Sequence, residues 1–369
     1  MKIKAAVTTK KDAPFEIREV ELAEPKDHEI LVKITACGVC HTDDAARVQM
    51  IPVPLPAVLG HEGCGVVEEV GPGVTDFKPG DKVGLSFGSC GHCRNCRNAK
   101  PYHCENFNAI NFGGVQADGT TRLSTLDGKP LATFFGQSSF ATHAVVNESS
   151  VVKVDYDDID LALVGPMGCG IQTGAGAVLN HLRPPFGSTI AVFGCGTVGM
   201  SAIMAAKIAN CDKIIAVGGN PDSLKLAMEL GATHTINRKE VTDIVGKIRN
   251  EITDGGVDYA IDTSGVEDFV KKMLASVNFG GTGVVLGATG DVTLNIQEEL
   301  MGDAKSLVGI VEGDSVPKEF IPKLLNYHQK GLFPFEKLVK FYPFEKINEA
   351  FAESGSGKCI KAVLRMDAE

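Results

Sequence analysis

From the start to Ser150, apolar and polar positions alternate in short runs separated by turn residues, the pattern of strands with one buried face. Ile30-Leu31-Val32-Lys33-Ile34 and Gly65-Val66-Val67-Glu68-Glu69-Val70 are such runs, and Gly71-Pro72-Gly73 and Lys78-Pro79-Gly80-Asp81 are the turns that follow strands. This stretch predicts a β-rich, barrel-like domain. The texture changes near Pro166. Ile190-Ala191-Val192-Phe193 is wholly apolar and leads through a glycine turn into an apolar helix reaching Asn210. Lys213-Ile214-Ile215-Ala216-Val217 is the next strand, and Asp222 to Leu230 a helix stopped by Gly231. Val257 to Asp262 and Gly283 to Gly287 continue the alternation. Strands taking turns with helices build a parallel, doubly wound sheet. The C-terminal stretch is mixed again and ends in the strand Ile360-Lys361-Ala362-Val363-Leu364. The order predicts an α/β cofactor unit inserted into a β domain that the chain then rejoins. Glu345 to Phe351 reads as a short amphipathic helix used for packing.

The chain has 369 residues, enough for two cores, and 44% of them are hydrophobic, as in a soluble globular protein. A formal net charge of -10 argues against nucleic acid or an anionic membrane as the main partner. The most apolar stretch, Thr189 to Ala209, is interrupted by Gly194, Gly196 and Gly199, so strand–turn–helix explains it better than a membrane span. The opening Met1-Lys2-Ile3-Lys4-Ala5-Ala6-Val7 lacks the apolar core of a secretory signal, and a cytoplasmic protein is expected.

Eleven cysteines without a signal are better read as thiols or metal ligands than as disulfides. Four of them, Cys90, Cys93, Cys96 and Cys104, have compact tetrathiolate spacing. Four sulfurs suit tetrahedral zinc and leave no position for a substrate, so a structural zinc is expected, ahead of an iron–sulfur cluster or plain thiols. Metal-ligand residue types also occur at Cys37-Gly38-Val39-Cys40-His41-Thr42-Asp43, at Gly60-His61-Glu62-Gly63 and at Gly168-Cys169-Gly170. Each alone has a plain structural explanation, because a cysteine beside glycine is often just a small buried residue and a lone histidine often just a hydrogen-bonding group.

In their order these segments resemble the zinc-containing medium-chain alcohol dehydrogenases. The chain is most similar to the aryl- (benzyl-) alcohol dehydrogenases, through Pro54-Leu55-Pro56-Ala57-Val58-Leu59-Gly60-His61-Glu62, Phe134-Phe135-Gly136-Gln137-Ser138-Ser139-Phe140 and Gly168-Cys169-Gly170-Ile171-Gln172-Thr173-Gly174. The resemblance covers essentially the whole length. It implies a GroES-like catalytic domain over residues 1–168 and 311–369 and a Rossmann-type dinucleotide domain over 169–310. It further implies that Cys40, His61 and Cys169 hold a catalytic zinc, with Glu62 as a close acidic neighbour able to approach the metal, giving two zinc ions per chain. Asp43 then orients the ligand histidine, and Thr42 hydrogen-bonds the substrate oxygen and passes its proton on. Many relatives carry a relay histidine three residues after that hydroxyl; Ala45 stands there. The implied reaction is reversible hydride transfer between a primary alcohol, aryl or allylic, and NADP or NAD, giving the aldehyde. Phe107, Phe135 and Phe140 are candidates to line its apolar pocket.

Gly194-Cys195-Gly196-Thr197-Val198-Gly199 is a G-x-G-x-x-G match between an apolar strand and a helix, the setting in which backbone amides meet a pyrophosphate. After the second strand, where an acidic side chain would bind the adenosine ribose and repel a phosphate, stand Gly218, Gly219 and Asn220. NADP is therefore favoured, with NAD as a second acceptor. No arginine stands beside these residues in the sequence, leaving Ser223, Lys225 and backbone amides as candidates for the phosphate. By the resemblance, His41 and Lys361 contact the pyrophosphate, and Thr173 and Val198 pack the nicotinamide. Val115 to Phe135 resembles the loop of the longer, commonly dimeric family members, so a homodimer is expected, with a tetramer second. Two rivals are a glutathione-linked formaldehyde dehydrogenase, for which no basic pocket motif appears, and a non-catalytic zinc-stabilised dinucleotide-binding protein.

Overall fold

The computed structural model describes residues 1–156 and 158–366. It divides into two compact units. The first comprises Met1–Cys169, Val316–Lys323 and the chain from Glu336 on; the second comprises Gly170–Ser315 and Leu324–Phe335.

The first unit is built on two sheets. One orders its strands Ala57–Val58, Lys2–Thr8, Glu16–Leu22, Leu123–Ser124 and Pro130–Leu131. The other runs Val151–Lys153, Lys82–Leu85, Gly63–Val70, Glu29–Gly38, Lys361–Arg365 and Val339–Pro343, with His143–Asn147 also paired to Glu29–Gly38. Glu29–Gly38 is the long central strand because nearly all its side chains are buried, and only Lys33 is exposed. Two pairings on it set up the site. Gly63 lies opposite Cys37, and the C-terminal strand returns antiparallel with Val363 opposite Gly38. The segments after Gly38, before Gly63 and at Lys361 therefore start from adjacent points of one sheet. Phe140, fully buried, packs against Phe15 and Phe351. It belongs to the core, as does the helix Ile347–Gly355 that presents Phe351.

The second unit is a six-stranded parallel sheet. Its strands are β1 (Thr189–Phe193), β2 (Lys213–Gly218), β3 (His234–Asn237), β4 (Val257–Asp262), β5 (Val277–Val285) and β6 (Ser306–Gly309), in spatial order 3-2-1-4-5-6. That order places the strand-order reversal at β1, where doubly wound folds bind dinucleotides. The central β1 and β2 are apolar runs buried on both faces, as a sheet covered by helices on both sides requires. Helix α1 (Thr197–Ile208) follows β1, α2 (Pro221–Leu230) follows β2, and α3 (Glu267–Ser276) follows β4. β3 and β6 leave no apolar signature because they are four-residue edge strands, mostly half-exposed. Among the described residues no single helix is long and apolar enough to cross a membrane.

Candidate active site

Cys40 ends the loop after Glu29–Gly38 and caps the helix His41–Arg47. Asp43, one turn in and fully buried, organises what surrounds it. Its Oδ2 accepts from the Cys40 amide at 3.1 Å, and its Oδ1 from the Gly60 amide at 3.0 Å and His61 Nδ1 at 2.9 Å. One carboxylate thus fixes the helix start, the next loop and the imidazole ring. With Nδ1 committed to Asp43, Nε2 is the ring's remaining donor atom; it is buried and makes no hydrogen bond. Phe135 stacks on the same ring at 4.4 Å and 25°, and Phe134 meets it edge-on at 5.5 Å. Phe135 therefore backs the imidazole, while Phe107 packs against Phe87 and Phe112.

The donor atoms of Cys40, His61, Glu62 and Cys169 all lie within 4.8 Å of one another. Four residues spread over the chain converge on one point. A buried nitrogen with no hydrogen bond, beside two sulfurs, fits a metal better than any alternative use of those atoms, since burying an unsatisfied polar atom costs free energy. Two thiolates and one imidazole are a zinc set that keeps a position open. The charges agree with it. The hydrogen bond with Cys169 chiefly draws the Cys40 thiol well below its ordinary range, against the effect of burial, with His61 and Lys361 helping. Burial by itself would lower the His61 pKa, but Asp43 and Cys40 outweigh it and hold it well above its usual value. Thr42, half-buried, accepts a hydrogen bond from the Cys40 thiol at 3.6 Å, so its hydroxyl lies beside this cluster. Ala45 is buried and offers no proton-carrying group.

Lys361 is 2% exposed and spends its ammonium on Glu62, at 2.9 Å to Oε1 and 2.8 Å to Oε2, and on the Val39 carbonyl at 3.0 Å. Burial pushes the Glu62 carboxyl up to about 7, with Lys361 opposing. Gly38 has no Cβ because one there would overlap Glu62 Oε2. His41, by contrast, is exposed at the helix start.

Two further residues hold the cluster, and nothing in the sequence marks either as part of a metal site. Gln137 is buried with its whole amide engaged. Nε2 donates to the His61 carbonyl at 3.0 Å and the Ser86 carbonyl at 3.1 Å, while Oε1 accepts from the Gly63 amide at 3.3 Å and Ser139 Oγ at 2.6 Å. Ser86 Oγ in turn donates to the Gly168 carbonyl at 2.7 Å. The pair ties the loop bearing His61 and Glu62 to the loop bearing Cys169. A lone glutamine and a lone serine announce no chemistry by themselves, so the fold is what reveals their role.

Cys90, Cys93, Cys96 and Cys104 form a second group, their sulfurs also within 4.8 Å of one another. Amides aim at the sulfurs: Cys93 N–H at Cys90 Sγ (3.3 Å), Cys96 N–H at Cys93 Sγ (3.5 Å) and Cys90 N–H at Cys104 Sγ (3.3 Å). Cys90 and Cys96 sulfurs stand 3.9 Å apart, far beyond a disulfide bond.

In the second unit, Gly194 takes φ 107, a conformation that favours glycine, and Gly196 caps α1 with open space above its Cα. This turn leads into the N-terminus of α1, and a helix N-terminus after such a turn is the arrangement that binds a pyrophosphate. Thr197 and Val198 begin that helix. Thr173, at the edge of burial, lies on the helix Gly170–Gly176, which packs so closely on α1 that a Cβ at Gly174 would overlap the Val198 carbonyl. Gly218 ends β2, and Asn220 caps α2 by accepting from the Asp222 amide.

Comparison with known proteins agrees on both units. The family model for the alcohol dehydrogenase GroES-like domain matches residues 26–156, and that for zinc-binding dehydrogenases matches 197–327. Geraniol dehydrogenase of Castellaniella defragrans is 42% identical over 366 residues, spanning 98% of this chain and 96% of that protein. The chain belongs to the zinc-binding medium-chain alcohol dehydrogenase family. Among solved structures of the family, an alcohol dehydrogenase zinc-binding domain protein from Burkholderia ambifaria is 49% identical, with a TM-score of 0.96 over 100% of both chains. Benzyl alcohol dehydrogenase from Acinetobacter calcoaceticus is 43% identical, with a TM-score of 0.95 over 99% of each. The α/β architecture expected from the sequence, a GroES-like unit and a dinucleotide-type unit, is the fold of this family.

Proposed function

We propose that the chain oxidises primary alcohols of the aryl or allylic class to aldehydes, reversibly, with NADP as the preferred acceptor and NAD as the second. The observation that carries this is the buried His61 Nε2, without a hydrogen bond and facing the sulfurs of Cys40 and Cys169. Cys40, His61 and Cys169 would hold a catalytic zinc, and Cys90, Cys93, Cys96 and Cys104 a structural one, two per chain. When bound, the catalytic zinc supplies the Lewis acidity that makes an alcohol hydroxyl acidic near neutral pH, and the nicotinamide accepts the hydride.

The chain's own residues do the rest. Asp43 fixes the imidazole so that Nε2 faces the cluster. Lys361 holds Glu62 by both oxygens, which keeps that carboxylate from competing for the open position. Thr42 takes the alcohol's hydrogen bond and hands the proton on; with Ala45 following, that proton leaves by way of water. Gly194, Gly196, Thr197 and Gly199 seat the pyrophosphate, Thr173 and Val198 pack the nicotinamide, and Gly218, Gly219 and Asn220 face the adenosine ribose. Substrate class rests on the relatives named for geraniol and benzyl alcohol. Both are primary alcohols with the carbinol carbon attached to an unsaturated carbon, a class that the phenylalanines packed around His61 suit. The protein is proposed to be a cytoplasmic homodimer.

Zinc per chain and the absorbance of reduced nicotinamide with benzyl alcohol and geraniol test the reading. Two zinc ions and turnover with either alcohol are expected. One zinc with bound dinucleotide and no turnover would move the assignment to a non-catalytic binding protein. Light scattering decides between dimer and tetramer.

A further inference from the structure

The sequence places no arginine beside Gly218, yet the fold does. β2 and β3 pair in parallel, with Gly218 opposite Asn237, and the Arg238 amide donates to the Gly218 carbonyl at 2.8 Å. The Arg238 side chain then lies over Gly219. A Cβ built on that glycine would come within 2.8 Å of Nε and 3.3 Å of Cζ. The guanidinium also lies over the Phe269 ring, 5.2 Å from its centroid. The group is in contact with both a bare glycine and an aromatic ring, and Arg238 is exposed.

Among the described residues no carboxylate pairs with this guanidinium. Glu240, two residues on, is engaged by Asn237 Nδ2 at 2.6 Å, and Asp268 by Lys272 at 2.7 Å. Lys225 and Lys239, both exposed, add positive charge on the neighbouring elements. An unpaired arginine therefore stands where the second strand of a dinucleotide fold ends, the place that meets the adenosine ribose, and an arginine there accommodates the phosphate of NADP. The geometry points to Arg238 as the residue that reads the 2′-phosphate and selects NADP over NAD. Its planar fork of donors matches a phosphate two bonds at a time. Stacking against Phe269 and Gly219 has already removed much of the rotamer freedom that binding would otherwise freeze. Gly219 has a physical reason in this account, since any side chain there would displace the arginine.

This assignment rests on the proposed NADP preference, and the experiment separates the two. Calorimetric titration of the full chain with 2′,5′-ADP and with 5′-AMP measures the phosphate's contribution apart from catalysis. The native protein should bind 2′,5′-ADP the more tightly. Arg238→Gln should weaken 2′,5′-ADP by about 10- to 100-fold while leaving 5′-AMP nearly unchanged, and Arg238→Lys should fall between, keeping charge but losing the fork. The KM for NADP should rise in parallel and that for NAD should not. If Arg238→Gln keeps full discrimination, the assignment of Arg238 fails and the NADP preference stands. Equal weakening of both ligands would make Arg238 an adenine-stacking residue and overturn its role in selection. A native protein that does not distinguish the two nucleotides would overturn the NADP preference and, with it, the role of Arg238. Unchanged melting temperatures in both variants guard against unfolding as the cause.

Discussion

The two sulfur-rich groups of the first unit reach the same density of donors by opposite routes. Cys90, Cys93, Cys96 and Cys104 sit on one short stretch, and the amides that orient their sulfurs belong to that stretch itself. Cys40, His61, Glu62 and Cys169 come from three separate segments and are held by buried side chains that link them: Asp43 of the Cys40 segment reaches His61, and Lys361, Gln137 and Ser86 come from elsewhere. The first group needs only a local turn. The second needs the sheet registers that set Gly63 against Cys37 and Val363 against Gly38. A group supported by its own backbone can be saturated with protein ligands and serve stability. A group supported by distant side chains can leave one position to a substrate and still keep its geometry.

The largest expected effect separates the two. His61→Ala should remove one zinc and lower kcat/KM by about a thousandfold or more, and by leaving the buried Asp43 carboxylate without its imidazole partner it should lower the melting temperature as well. Cys104→Ser should remove the other zinc and lower the melting temperature by roughly several degrees, while activity per folded molecule at low temperature changes by no more than about threefold. Metal analysis with calorimetry and kinetics on both variants checks this. Activity lost equally in both would erase the distinction between the groups.

The same difference governs what can be read in the chain. The compact cysteine group is visible from spacing, because its geometry is local. Cys40, His61 and Cys169 become a set only through resemblance, since no periodicity links residues so far apart. The central strands show as apolar runs because both their faces are buried. The edge strand β3 shows no such run, and missing it hid Arg238, which that strand carries to Gly219. Gln137 is hidden for another reason: its four hydrogen bonds go mostly to backbone groups, which any sequence possesses.

The ion pair comes next in size. Lys361→Met would leave the Glu62 carboxylate buried without its counter-ion, and should destabilise by about 3–5 kcal/mol in denaturant titration. Glu62→Gln with Lys361→Met removes both charges and should recover much of that loss, so the double-mutant cycle reads the coupling. A neutral single variant would mean that the lysine does not hold the carboxylate. Smaller again is the clamp. Gln137→Leu should speed release of the catalytic zinc to a chelator by about 10- to 100-fold, as for other residues that orient ligands, and leave the structural zinc untouched. Ser86→Ala, which cuts one bond in the same chain of contacts, should do less. If both zinc ions are released faster, the clamp is global packing and not support for one site.

The smallest effect concerns reactivity of single thiols, and it sharpens the contrast from the electrostatic side. At Cys90 burial raises the pKa, but amides of His92 and Cys93 more than offset it and draw the thiol to about 6. Cys195, in the dinucleotide turn, has no such set of donors, and burial pushes it up to about 12. A thiolate reacts and a thiol does not. After metal is removed by chelation, iodoacetamide at neutral pH followed by mass spectrometry should therefore label Cys90 well before Cys195. The linkage has a definite sign. Folding raises the Cys195 pKa above its unfolded value of 9.0, so its contribution is fully present below that pH and is lost as pH rises toward about 12. Cys195→Ala should accordingly flatten the alkaline loss of stability and leave the profile below pH 8 unaltered. An unchanged alkaline limb would show that the thiol ionises as freely in the fold as out of it. The contrast with the amide-supported sulfurs would then vanish.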